Sequence, residues 1–180
     1  MKKLKLYLAI IIIFLFISPL TYAEWITDNK FYKDSIEAFK DDKNLNGYFK
    51  NAYAYLFFPR IQKAGIYLGY LQGKGAVFID EEITGCSSIK QLSLGLTIGA
   101  SQFSQIIFFQ DKETFDSFKK SGLKFNSELS FQFFKWGDEI DESFYNGVFV
   151  ETKKINGLMY DASLGGQSIK FKPLKNESCK

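Results

Sequence analysis

Between Leu92 and Gly99 apolar and small or polar residues alternate strictly. Leu92, Leu94, Leu96 and Ile98 are interleaved with Ser93, Gly95, Thr97 and Gly99. A period of two predicts a half-buried strand. Residues 66–70 and 76–79 read as strands around Gly73-Lys74-Gly75, residues 106–109 as a short, fully apolar strand, and 124–134 as a further alternating run with Phe125, Leu129, Phe131 and Phe133. Near the end, Val148, Val150 and Thr152 precede Asn156-Gly157, and Leu158, Tyr160, Ala162 and Leu164 follow. Asn-Gly between alternating runs predicts a tight hairpin, because both central residues must take positive φ. A last strand over 168–171 stops at Pro173.

Helical spacing appears in three places. Residues 28–41 predict a first helix, capped by Asp28, with Phe31, Ile36 and Phe39 as its apolar stripe. After a loop at 41–44, residues 45–57 read as a second helix ended by Pro59. Asp111 caps a third, running to about Lys120, with Phe115 and Phe118 inward and Gly122 as its stop. The expected fold class is therefore α+β: two N-terminal helices followed by a curved, mainly antiparallel sheet with one inserted helix. The side-chain-free positions Gly69, Gly73 and Gly75 lie inside a strand pattern, where they mark bulges, sharp bends or close approach of another backbone.

The N-terminus reads as an export signal over residues 1–23. Lys2, Lys3 and Lys5 precede an unbroken apolar run of 12 residues at 6–17, and Ala23 stands before the expected cut. The run is short for a transmembrane helix, although an uncleaved anchor is the rival reading. No cysteine follows it, so a lipoprotein signal is not expected. The expected organisation is a signal peptide at 1–23, a single domain at 24–175 and a flexible tail at 176–180, with the periplasm as the compartment. The full chain has 23 basic and 20 acidic residues. The signal holds three of the lysines and no acid, so the remainder carries 23 − 3 = 20 basic against 20 acidic residues and is formally neutral. Bulk attraction to nucleic acid or to anionic lipid is not supported, and any such attraction requires a local patch.

The chemistry is sparse. The chain has no histidine, which removes the commonest general base and metal ligand. Ser117-Phe118-Lys119-Lys120 has Ser-Lys spacing but falls in an expected surface helix. Gly69–Gly75 (GYLQGKG) lacks the spacing and the hydroxyl residue of a phosphate loop. Asp138, Glu139, Asp141 and Glu142 form an acidic cluster without the spacing of a calcium loop, best read as a solvated turn. Catalytic residues, metal ligands and cofactors are therefore expected to be none, and the protein is expected not to be an enzyme. Cys86 and Cys179 form a possible disulfide or remain two unrelated thiols. Basic residues fall into three groups: Arg60, Lys63 and Lys74; Lys119, Lys120 and Lys124; and Lys170, Lys172 and Lys175. Arg60 is the only arginine.

Three blocks in order resemble the SYLF domain family, lipid-binding domains of bacterial envelopes and eukaryotic membrane-trafficking proteins. The first is Phe58-Pro59 with Lys63-Ala64-Gly65, Gly69, Gly73 and Gly75; the second is Ser93 to Ala100, leading into 106–109; the third is Gly157 to Tyr160 with Ser163, Leu164 and Gly166. Thr97, where Gln is frequent in the family, and Asp161, where Gly is common, depart from its pattern. The resemblance implies an exported, non-enzymatic lipid-binding domain at a cell-envelope membrane surface, with anionic membrane phospholipid as partner and no nucleic acid. Expected lipid-binding residues are Phe57, Phe58, Arg60, Lys63, Tyr67, Tyr70 and Lys74, with the aromatic turn at 57–59 entering the interface and the basic residues meeting phosphates. The alternatives are a carrier enclosing a hydrophobic small molecule, or a module that binds an envelope protein partner.

Overall fold

The computed structural model describes residues 29–125, 144 and 146–174. Helix α1 (Asn29–Lys40), a 3-10 turn (Lys43–Leu45) and α2 (Asn46–Asn51) lead into β1 (Ala54–Ile79). Then follow β2 (Glu82–Phe109), α3 (Lys112–Ser121), β3 (Leu123–Phe125) and β4 (Val148–Pro173). Among the described residues, one open, antiparallel sheet has the order β1-β2-β4-β3. The expected α+β class, with two N-terminal helices and one inserted helix, is what the chain forms. The Asp28 cap, the run beyond 125 and the acidic cluster at 138–142 lie outside the described residues.

The strands are far longer than the short runs expected from the pattern. Twenty-six residues would span roughly 85 Å if straight, so the sheet has to bend. It doubles over. A Cβ on Gly65 would lie 2.3 Å from the Leu68 carbonyl oxygen and 2.7 Å from Gly69 Cα. One on Gly75 would lie 2.4 Å from the Phe57 carbonyl oxygen, and one on Gly73 3.3 Å from that of Arg60. The two arms of β1 therefore cross with their main chains in contact at Gly73 and Gly75, and turn back at Tyr67. That close approach is one of the options the glycines signalled in the sequence.

The register shows how the crease is made. Ile66 pairs with Ile98 and Leu68 with Leu94, so Tyr67 alone stands opposite Gly95, Leu96 and Thr97. Such a mismatch bends a strand and increases its twist. Tyr67 takes φ 61°, a region bulky residues rarely adopt. A second irregularity, between Phe58 and Ile61, brackets Pro59, which has no N–H to give the ladder.

Asn156-Gly157 is not a hairpin. Strand β4 runs through it, and the pair sits at a bulge where Gln102 faces Asn156 and Phe103 faces Lys154. Gly157 has the positive φ expected of it, at 99°, but there it bends a strand instead of reversing it. The second helix is also shorter than expected. It ends at Asn51, and residues 54–57 belong to β1.

Two aromatic clusters hold the far ends of the arms. Leu56, Phe58, Ile61, Leu71, Val77, Ile107 and Phe109 pack with Phe115 and Phe118 of α3. That helix starts at Asp111, which accepts from the Thr114 N–H, and stops at Gly122, as expected. On the other side, Tyr32, Ile36 and Phe39 of α1 pack with Tyr48, Tyr55, Phe57, Phe78 and Phe108. Tyr32, which the expected stripe omitted, is buried at the i, i+4, i+7 spacing with Ile36 and Phe39. Burial pushes its phenol pKa up to about 12, and pushes that of Tyr55 up as well. Lys153 of β4 clamps α1 to the sheet: it donates to the Ala38 carbonyl at 2.7 Å, lies 3.2 Å from Asp42 and sits 5.0 Å above the Phe39 ring. Beside it, burial and then the Asp42 carboxylate raise the pKa of Glu151, against the pull of Lys153.

Candidate functional site: an apolar crest at the crease

At the crease the alternation is present but inverted. Ser93 and Thr97 are buried, whereas Leu92, Leu94, Leu96 and Ile98 are exposed, Leu94 by 69%. From β1, Ile66, Tyr67, Leu68 and Tyr70 are exposed beside them. The cross-strand pairs Ile66–Ile98, Leu68–Leu94 and Tyr70–Leu92 make one contiguous crest of eight large side chains. In the backbone register, Tyr160, Ala162 and Leu164 of β4 stand opposite Ile98, Leu96 and Leu94.

The reason for the inversion is steric. The inner side of a sharp fold has no room for large side chains. Gly65 and Gly69 meet Thr97 there, and Ser93 Oγ donates to the Gly69 carbonyl at 3.4 Å. Only Gly, Ser and Thr fit, so the apolar row is forced outward. A discriminating signal was in the sequence. A solvent-facing strand row normally carries long charged side chains, whereas Ser93, Gly95, Thr97 and Gly99 are all small. Of these, Ser93 and Thr97 line the inside of the crease, while Gly95 and Gly99 are exposed beside the bulge. The exposed residues Ile66, Leu68, Leu92, Leu94, Leu96 and Ile98 were missed because periodicity reports two faces without saying which one is covered.

Charge is distributed unevenly around the crest. The segments that run from the crossing to the crease and back are 60–74, 90–104 and 154–167. They contain Arg60, Lys63, Lys74, Lys90 and Lys154 and a single acid, Asp161. Every other carboxylate among the described residues lies outside these segments. A basic skirt thus flanks the apolar crest.

The expected site residues divide sharply. Tyr67 and Tyr70 lie on the crest, and Arg60, Lys63 and Lys74 lie in the skirt. Phe57 and Phe58, in contrast, are 0% exposed and belong to the two core clusters. Their expected role at an interface is corrected: the aromatic run at 57–58 is the inside of a strand, not the tip of a turn. Cys86 is buried and disulfide-bonded, and Cys179 lies outside the described residues. Ser117 is exposed on α3, where the neighbouring Lys119 pairs with Asp116 at 2.6 Å, and Gly69–Gly75 runs within a strand. Among the described residues, no helix is long and apolar enough to cross a membrane, and no group of three or more metal-ligating side chains converges.

No protein-family model matches the chain, and no solved structure matches it. The chain is similar to Beta cell expansion factor A of Aeromonas veronii, with 28% identity over 133 residues, 73% of this chain. The match covers 50% of that protein, so this chain corresponds to about half of its relative's length.

Proposed function

We propose that the protein is an exported, non-enzymatic, SYLF-like lipid-binding domain that docks on a cell-envelope membrane surface through its crease. The observation that carries this reading is the crest: eight large apolar or aromatic side chains on one exposed, contiguous surface. Soluble monomers rarely leave such a patch uncovered unless it meets a membrane or another molecule. The basic skirt favours an anionic bilayer as the occupant. Tyr67 and Tyr70 suit the boundary, having an apolar ring and a polar end. The three resembling sequence blocks contribute Gly65, Gly69 and the Ser93–Ala100 run, the residues that build the crease.

Magnitudes decide which force dominates. Fully burying one Leu or Ile side chain contributes roughly 1.5–3 kcal/mol, and one basic residue near an anionic surface about 1 kcal/mol. Several crest residues together outweigh the skirt. Binding should therefore prefer anionic vesicles yet survive moderate salt in part. Flotation of the purified protein with neutral and phosphatidylglycerol-containing vesicles, at low and moderate salt, tests this. Flotation that is strongest with anionic vesicles, and is abolished by Leu94→Ser with Leu96→Ser, is the expected result. Absence of flotation under every condition, with recovery of a stoichiometric protein partner by crosslinking, would move the crest to a protein interface.

A further inference from the structure

Beside the crest lies a groove of about 390 Å³ with a different character. The two arms of β1 contribute Gln62, Lys63, Tyr70 and Gln72, and the neighbouring strands contribute Gln102 and Asn156. Among the described residues, the lining holds four side-chain amides, one cation and no carboxylate. Among the described residues, no side-chain hydrogen bond engages the amides of Gln62, Gln72, Gln102 or Asn156. Tyr70 belongs to both features, so the groove opens where the crest begins.

We infer that this groove holds the headgroup of an anionic phospholipid whose headgroup is a polyol, with phosphatidylglycerol as the simplest case. The inference rests on the membrane reading above. Each amide offers two N–H donors and an acceptor oxygen, which matches hydroxyls that both donate and accept. Lys63 supplies the one positive charge that a phosphodiester requires. A groove built for phosphate alone would gather cations, and one built for an amino headgroup would need a carboxylate; the described residues of this lining supply four amides and a single lysine. Once the crest is inserted, the groove lies at the depth of the headgroups, where bulk water competes less with these bonds.

The test compares vesicles of phosphatidylglycerol and of phosphatidic acid, matched in surface charge, with the purified protein. The expected result is a preference for phosphatidylglycerol of about five- to tenfold, the equivalent of one or two net hydrogen bonds. Gln72→Ala with Gln102→Ala should erase the preference, leave binding to phosphatidic acid unchanged and leave the melting curve unchanged. Soluble glycerophosphoglycerol should shift the signals of the groove residues in NMR spectra, and inorganic phosphate at the same concentration should not. Equal binding to both lipids would overturn the groove assignment and leave the crest intact. Equal shifts with inorganic phosphate would overturn it too, reducing the groove to an anion site. Binding to neither lipid would overturn the groove and the membrane reading together.

Discussion

The same three strands build both ends of this molecule, and the two ends obey opposite rules. At the crossing end, helices cover the sheet, and Phe57, Phe58, Phe108 and Phe109 are buried on both of its faces. At the crease, no helix among the described residues covers the sheet, the inner side is lined by Gly, Ser and Thr, and the leucines face outward. One end stabilises the fold by burying apolar area. The other leaves apolar area exposed. Burial follows from how much space the neighbouring backbone leaves, not from hydrophobicity alone.

Substitutions should separate the two ends, beginning with the core. Phe58→Ala should cost about 3–5 kcal/mol of stability, measured by denaturant unfolding; a loss below 1 kcal/mol would mean the arms do not pack as described. Alkaline pH probes the same end. A raised phenol pKa means the folded state binds its proton more tightly than the unfolded chain. The stabilisation from Tyr32 is therefore full below pH 10 and is lost as pH rises towards about 12. At most it is worth roughly 2–3 kcal/mol. Melting temperatures between pH 8 and 12 should fall less steeply for Tyr32→Phe than for the native chain.

The crease should respond differently. Gly65→Ala places a methyl group against the Leu68 carbonyl oxygen and should destabilise by roughly 1–3 kcal/mol. Tyr67→Gly should act with the opposite sign. Relieving the positive φ of a bulky residue should stabilise the fold by about 1 kcal/mol, while vesicle binding weakens because a crest ring is lost. A variant that is more stable and binds less would be hard to explain if Tyr67 were only structural. The smallest stability effect is expected at the crest itself. Leu94→Ala should change unfolding by less than about 0.5 kcal/mol and still reduce flotation. A loss comparable with that of Phe58→Ala would show that the crest is covered.

Local signals with a single physical meaning were legible in the sequence. Asp111 and Gly122 bracket α3 because a side-chain cap and a positive-φ stop act on their own neighbours. Signals with two meanings misled. Asn156-Gly157 supplies positive φ, which serves a bulge in a long strand as well as a hairpin. Residues 52–57 have helical neighbours upstream, yet β1 begins at Ala54, where pairing with Phe109 prevails over local preference. Tyr67 and Tyr70 come together at the crease, and Arg60 and Lys74 at the crossing, where Gly73 lies against the Arg60 main chain. Phe57 and Phe58 misled, because an aromatic run before proline does not by itself report which side of a strand is covered. The doubling of the sheet is a long-range property, visible only in the spacing of glycines that permit two backbones to touch.

The central claim is that the crease end, and not the helical end, enters the bilayer. An environment-sensitive fluorophore placed by Leu94→Cys on the crest, and separately by Asp34→Cys on α1, measures this directly with vesicles that carry quenchers on their acyl chains. The account predicts a blue shift and strong quenching from the crest position alone. Quenching at α1, or no change at the crest while the protein still floats with vesicles, would contradict it.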